Sequence, residues 1–343
     1  MKIVMITGLG NGMMLKYSLP LMSSGHEVHL LTNKIGIGLE AMSSVTLYQT
    51  MGQLYGAIES LSDADIFHVH NEPSYPVTAV KEVWGDKKPV ILNLNDTNLT
   101  RLHPDSNDSR RMHVDERNNF ELADGVVYIN GTTQEIVEKT YAMTEHTLVM
   151  PLYIPERYFG LDFGELKGGL VYGGRVSIAN EDTPERDFFQ HQNYLDLAVE
   201  ANNNGIPFHV FSPRKKKQVR DLYKTVCYMH NPLPVQQYIR AMGSYDWGLV
   251  GNLTETEFWK YATTNKFFEY IAACVPIVSF NTGVCADIIN KYGIGICVDS
   301  MAELKARWGE HTECRNKLIK VRRNFALEKH LHKLINLYEE VGA

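Results

Sequence analysis

Two doubly wound α/β domains facing a cleft are predicted by three features of the 343-residue chain. Short apolar runs alternate with segments of helical apolar spacing from Lys2 to Met150, and the alternation starts afresh at Gly168. Between the two series, Pro151 to Lys167 carries prolines and glycines with few periodic apolar residues, the composition of a linker. A hydrophobic content of 44% over this length is enough for two cores of ordinary size. The expected bounds are 1–163 for the first domain, 164–325 for the second, and a helix over 326–343 that crosses back to the first.

Lys2 to Thr7 reads as a strand, Gly8-Leu9-Gly10-Asn11-Gly12 as a loop, and Met13 to Ser24 as a helix closed by Gly25-His26. Glu27 to Thr32 completes a β-α-β unit. The glycines Gly10 and Gly12 let backbone N–H groups approach a ligand. The loop lacks the third glycine of a dinucleotide fingerprint, and Glu40 stands too far along for a ribose partner. The alternation continues with strands at Asp65 to Val69, Pro89 to Leu94, Gly125 to Ile129 and His146 to Met150, and helices near Ser74 to Val83, Arg111 to Leu122 and Thr132 to Tyr141.

Ligands of such sheets lie beyond the carboxyl ends of the strands. Two polar clusters stand there, His68-Val69-His70-Asn71-Glu72-Pro73 and Asn93-Leu94-Asn95-Asp96-Thr97-Asn98. His68 and His70 are two apart and share a face, so they are expected to be functional or structural together. Thr100 to Glu116 reads as a long loop entering a helix, suited to a flap.

The second series runs through strands Gly169 to Tyr172, Phe208 to Phe211, Trp247 to Val250, Ile277 to Phe280 and Gly295 to Val298. Helices are expected at Gln192 to Asn203, Pro234 to Met242 and Cys285 to Lys291, and one long amphipathic segment at Glu313 to Glu340. Its centre is Thr263 to Phe280. Thr263 or Thr264 is placed to cap a helix, Phe267, Phe268, Ile271 and Ala272 give it an apolar stripe, and Pro276 stops it before a buried strand. Lys266 and Glu269 interrupt that stripe. They form an i, i+3 ion pair or bind separately, Lys266 to an anion at the helix N-terminus and Glu269 to hydroxyl groups. Arg175 follows Gly173-Gly174 at the end of a strand, where a guanidinium can hold a diphosphate.

Composition removes other classes. A net charge of -6 argues against broad nucleic-acid binding, with Arg214 to Lys217 as a solvated run. The five cysteines contain no CxxC pair and read as reduced thiols, which with the absence of a long apolar run points to a cytoplasmic protein. Asp63 and Asp65 begin a strand, at the wrong end for a ligand, and no residues have zinc spacing, so no metal or other cofactor is expected. Neither a Gly-x-Ser-x-Gly elbow nor a GxxxxGK[ST] loop is present.

Gly173-Gly174-Arg175, Thr264 to Val278, Asn281-Thr282-Gly283 and Tyr292-Gly293-Ile294-Gly295 resemble the nucleotide-sugar half of GT-B glycosyltransferases, most nearly the retaining family 4 type. The resemblance implies hexosyl transfer from a nucleotide-diphosphate sugar to a hydroxyl acceptor, in polysaccharide or glycoconjugate synthesis. Glu269 would bind the ribose, Arg175 the diphosphate, Lys266, Thr264 and Asn265 the phosphate side, and the loop at Tyr228 to Asn231, with His230, the base. Arg175, Lys266, Asp96 and His70 would be the catalytic set, with Asn71, Glu72, Asn95 and Asp96 on the acceptor side. A saccharide or glycolipid acceptor fits better than nucleic acid, and the protein would work in the cytoplasm or at the inner membrane face. The chain departs from the pattern at Tyr261, eight residues before Glu269, where relatives carry a second glutamate, and at Asn95, where many carry histidine. An epimerase of the same fold and a non-catalytic nucleotide-sugar-binding protein are the alternatives.

Overall fold

The computed structural model describes all residues except 9–11, 36–41, 71–74, 96, 102–106, 160–164, 179–190, 214–215 and 343. Two compact units emerge, one made of Met1–Thr100, Pro104–Pro155 and Leu327–Ala343, the other of Arg101–His103 and Glu156–Ala326.

The first unit runs β1 (Lys2–Thr7), α1 (Gly12–Ser23), β2 (Glu27–Thr32), β3 (Ser44–Leu47), α2 (Met51–Ser60), β4 (Ile66–His70), α3 (Tyr75–Trp84), β5 (Val90–Leu94), α4 (Asn98–Arg101), α5 (Asn107–Leu122), β6 (Gly125–Tyr128), α6 (Gly131–Thr140) and β7 (Thr147–Val149). Its seven strands lie in the order β3-β2-β1-β4-β5-β6-β7, all pairs parallel. The strands read as near-continuous apolar runs because both faces are covered. β3 and α2 escape the sequence reading: β3 is an exposed edge strand of four residues, too short for its Ser-Val-Thr-Leu alternation to mark it. At the start of β4, the Lys2 backbone N–H donates to Asp65 at 2.7 Å and the Lys2 ammonium pairs with Asp63 at 2.8 Å.

In the second unit β8 (Leu170–Gly173), α7 (Leu195–Asn203), β9 (Phe208–Phe211), α8 (Lys217–Tyr223), β10 (Tyr228–His230), α9 (Val235–Met242), β11 (Trp247–Gly251), α10 (Glu257–Tyr261), α11 (Asn265–Ala272), β12 (Ile277–Phe280), α12 (Val284–Tyr292), β13 (Gly295–Cys297), α13 (Met301–Ala306) and α14 (His311–Val321) follow in order. Six parallel strands form the sheet β10-β9-β8-β11-β12-β13. The two parallel sheets with helices are the expected fold class. Tyr228 to Asn231, expected as a loop, is largely the edge strand β10. The short helices α8, α10 and α13 carry too few turns to show a period.

The amphipathic segment Glu313 to Glu340 is not one helix. It breaks into α14, 3₁₀ turns at Arg322–Phe325 and Leu327–Lys329, and α15 (Leu331–Gly342). The apolar positions before the break serve the second unit, where Phe325 packs on Tyr292 and Phe268. Those after it join the first core: Leu331, Leu334, Leu337 and Tyr338 pack with Ile3, Met5, Tyr17, Leu21, Ile66 and Ile91. Two cores share one apolar series, so the helix has to be interrupted.

All five cysteines are free thiols. Among the described residues no helix is long and apolar enough to cross a membrane.

Candidate active site

α11 is amphipathic, with Phe267, Phe268, Tyr270, Ile271 and Ala272 buried. It stops earlier than the proline alone requires. Cys274 adopts the left-handed region at φ 58°, and the turn is closed by Cys274 N–H to the Ile271 carbonyl at 3.1 Å and Val275 N–H to the Tyr270 carbonyl at 2.9 Å. Arg322 donates to the Ala272 carbonyl at 3.1 Å, satisfying a further acceptor at the helix end.

The helix start differs from a sequence-level cap. Thr264 occupies the N-cap position with extended backbone, yet its hydroxyl makes no capping hydrogen bond. Its Oγ1 is buried and unpartnered. An unmet buried hydroxyl costs about 1–3 kcal/mol in the free protein.

Lys266 turns toward the strand side of this helix, its Nζ lying 5.8 Å from the centre of the Tyr172 ring. There it meets the turn after β8. A Cβ on Gly174 would stand 2.3 Å from Lys266 Cε, and one on Gly173 would stand 1.6 Å from the Tyr238 hydroxyl. Gly173 is therefore required by close approach, whereas at Gly174 the nearest atom is the movable end of the Lys266 side chain. Tyr270 ties the same turn to α11: its hydroxyl lies 3.2 Å from the Val171 carbonyl, to which it donates, and accepts from Gly173 N–H at 3.3 Å. Arg175 is exposed beyond the turn, and its carbonyl accepts from Tyr172 at 3.3 Å. Burial holds Tyr238 and Tyr270 well above the ordinary tyrosine range, with the Glu269 carboxylate adding to the effect. Both stay protonated.

His230 reaches this floor through β9. Phe211 stacks on His230 at 4.4 Å, pairs in register with Gly173, and meets Tyr238 edge-on at 6.3 Å. Behind it, His209 Nδ1 and His230 Nε2 are 3.0 Å apart, and Tyr228 stacks on His209 at 4.7 Å. Burial, then His230 and Lys167, push His209 down to about 4; burial and Lys167 also lower His230. The pair is neutral near pH 7 and shares one N–H.

Gly173, Gly174 and Lys266 thus converge, with Thr264, Arg175, Asn265, Glu269 and His230 on the elements that carry them. The tyrosines Tyr172, Tyr238 and Tyr270 are the residues that sequence reasoning missed. Only their recurrence near the glycine turn and the α11 motif could have signalled them, and their neighbourhood is tertiary.

The remaining candidates belong to the first unit. Gly12 opens α1, while Gly10, Asn71, Glu72 and Asp96 lie outside the described residues. His70 is 1% exposed, stacked on His68 at 4.1 Å and set 5.3 Å from the Tyr17 ring. Both of its ring nitrogens are unpartnered, and burial, then His68, hold it well below the usual range, so it is a neutral imidazole. His68 meets the Tyr338 hydroxyl of α15 at 2.6 Å. Asn95 is buried and accepts from Asn93 at 3.0 Å. Among the described residues, no group of three or more His, Cys, Asp or Glu side chains is placed to hold a metal ion.

Solved structures share this architecture over their whole length. Sucrose-phosphate synthase from Thermosynechococcus elongatus matches with a TM-score of 0.71 at 10% identity, covering 99% of this chain and 98% of that one. Anabaena HepE in complex with UDP and glucose matches with a TM-score of 0.70 at 12% identity, covering 98% of each chain. WaaG, a glycosyltransferase involved in lipopolysaccharide biosynthesis, matches with a TM-score of 0.63 at 13% identity, covering 99% of this chain and 98% of that one. The chain has the GT-B fold. Within that GT-B frame, residues 192–325 match the family model described as the Glucosyltransferase 3-like C-terminal domain. That span includes α11 and His230. No curated protein matches the chain.

Proposed function

We propose that the protein is a glycosyltransferase that moves a hexose from a nucleotide-diphosphate sugar to a hydroxyl acceptor, with retention of configuration. The observation that carries the reading is the start of α11, where the Lys266 ammonium, following the N-cap Thr264 whose hydroxyl has no partner in the chain, lies against a glycine turn with little room for side chains. A diphosphate, an anion able to lie against the glycine turn, suits the ammonium and the helix start together.

In this reading Thr264 and the first N–H groups of α11 hold one phosphate, Lys266 and Arg175 the diphosphate charge, Glu269 the ribose, and the His230 region the base. As the bond from the anomeric carbon to the diphosphate oxygen breaks, negative charge grows on the leaving group. Fixed cations and N–H dipoles favour that state over the bound substrate. The acceptor oxygen bonds to the anomeric carbon and gives up its proton to the departing diphosphate oxygen, with Asn95, Asp96 and the neutral His70 assigned to the acceptor side. Lys266 and Arg175 do the charge neutralisation, so chelators are expected to leave the rate unchanged. The matched domain description and the UDP-glucose complex of HepE support UDP-glucose as donor.

The test is incubation with a panel of UDP-, GDP- and ADP-sugars and saccharide or glycolipid acceptors, with products identified by mass and by anomeric proton coupling. An acceptor-dependent glycoside carrying the donor's anomeric configuration supports the proposal. Donor binding without product, or a new sugar isomer formed without acceptor, contradicts it.

A further inference from the structure

We infer that Glu116 is a positioning residue for acceptor transfer, holding the turn after β5 in place from beneath. The inference rests on the acceptor-side reading of Asn95. Glu116 is 7% exposed on α5, although charged side chains are rarely buried without purpose. Among the described residues, its carboxylate accepts from three donors on two other segments: Asn98 N–H at 2.9 Å, the Thr97 hydroxyl at 3.2 Å and the Tyr141 hydroxyl at 3.1 Å. The Thr97 hydroxyl in turn accepts from Leu99 N–H at 3.2 Å.

The turn needs such an anchor. Thr97 and Asn98 are 2% and 4% exposed, so their polar groups cannot rely on water. α4 has only four residues, too short to stand by its own hydrogen bonds. A carboxylate on the N–H of its first residue both satisfies that donor and suits the positive end of the helix. On the strand side, Asn93 donates to Asn95 at 3.0 Å and pairs in register with His70. Residues 95 and 97 are thus fixed from opposite flanks, Asn95 by the sheet and Thr97 by α5. Glu116 is needed where it is because it joins the turn to α5 and, through Tyr141, to the end of α6.

A carboxylate accepts from several donors at once, whereas an amide at the same place presents an NH₂ group to one of them. Glu116→Gln therefore keeps the shape of the anchor and loosens its hold. With the reading above, transfer to acceptor is expected to lose about 10- to 100-fold in kcat, since an ångström of misplacement can cost that much. Donor affinity by calorimetry and donor hydrolysis without acceptor should stay at wild-type values, because the donor residues stand on the other unit. Tyr141→Phe, which removes one of the three bonds, should give a smaller loss in the same direction.

Two readouts separate the inference from the function it rests on. Amide exchange at Asn98 and Leu99 should quicken at least about tenfold in Glu116→Gln, while the amides of β4 and β5 stay protected. Unchanged exchange at these two amides overturns the anchor. Faster exchange with wild-type transfer, or a donor affinity that falls in step with transfer, overturns the positioning role. A wild-type chain that transfers no sugar overturns the functional reading and the link to acceptor, whatever the exchange result.

Discussion

The carboxyl edges of the two sheets share a strand order and differ in how their polar atoms are held. Beyond β8, tyrosine hydroxyls and glycines leave a turn shaped by contact, against which Lys266 and the start of α11 are laid. At the carboxyl ends of β4 and β5, His68, His70 and Asn93 are buried, the two rings beside Tyr17 of α1 and His68 against Tyr338 of α15, and both nitrogens of His70 lack partners. The first edge is set by steric fit and the second by burial of neutral polar groups. A steric edge should fail on added volume, and a buried polar edge should fail on added charge.

The steepest break is expected at Gly173. A Cβ there meets the Tyr238 hydroxyl and ring, which are enclosed, so Gly173→Ala should destabilise the second unit by about 1–3 kcal/mol and abolish donor binding. Gly174→Ala meets the end of the flexible Lys266 side chain more closely than anything else, at 2.3 Å. It should displace the lysine, lowering donor affinity while the melting temperature stays near wild type. Equal losses of stability in the two variants would break the distinction.

The polar edge is tested by pH. His68 is pushed down to about 3 by burial, from an ordinary value of 6.5, and His70 moves in the same direction. Above pH 6.5 both folded and unfolded chains hold these rings neutral, and their contribution to stability is intact. Below it the unfolded chain takes up protons that the folded one refuses, so stability falls as pH drops from 6.5 toward 3. His209 in the second unit reaches only about 4 and is half-buried. Hydrogen exchange of strand peptides between pH 7 and 5, corrected for intrinsic rates, should show the first unit losing protection more steeply. Equal slopes would contradict the burial argument.

Much of the second site was legible because its signals are local. Glycines before an arginine, a polar pair inside an apolar helix and a proline before a strand each act on neighbours in the chain. What was not legible is tertiary. Nothing near Thr264 says that its hydroxyl lacks the cap hydrogen bond its position invites, and Cys274 gives no sign of left-handed backbone, which usually calls for glycine. The pairing of His68 with Tyr338 spans most of the chain, so its reading as buried structure needed the fold. The single helix expected over Glu313 to Glu340 failed for a related reason: spacing records that residues are apolar and not which core they enter. Asn93, Asn95 and Glu116 read as loop polarity, and only their contacts show a braced turn.

The central claim is that the start of α11 holds the diphosphate of a nucleotide sugar. Calorimetric titration of UDP-glucose into the wild type, Lys266→Ala and Thr264→Val measures it directly. The account predicts saturable binding by the wild type, a loss of about 10- to 100-fold for Lys266→Ala and a smaller loss for Thr264→Val, whose free-state stability should hold or rise because an unmet hydroxyl is gone. Equal affinity in all three would contradict it, as would a Thr264→Val variant that binds normally and unfolds more readily.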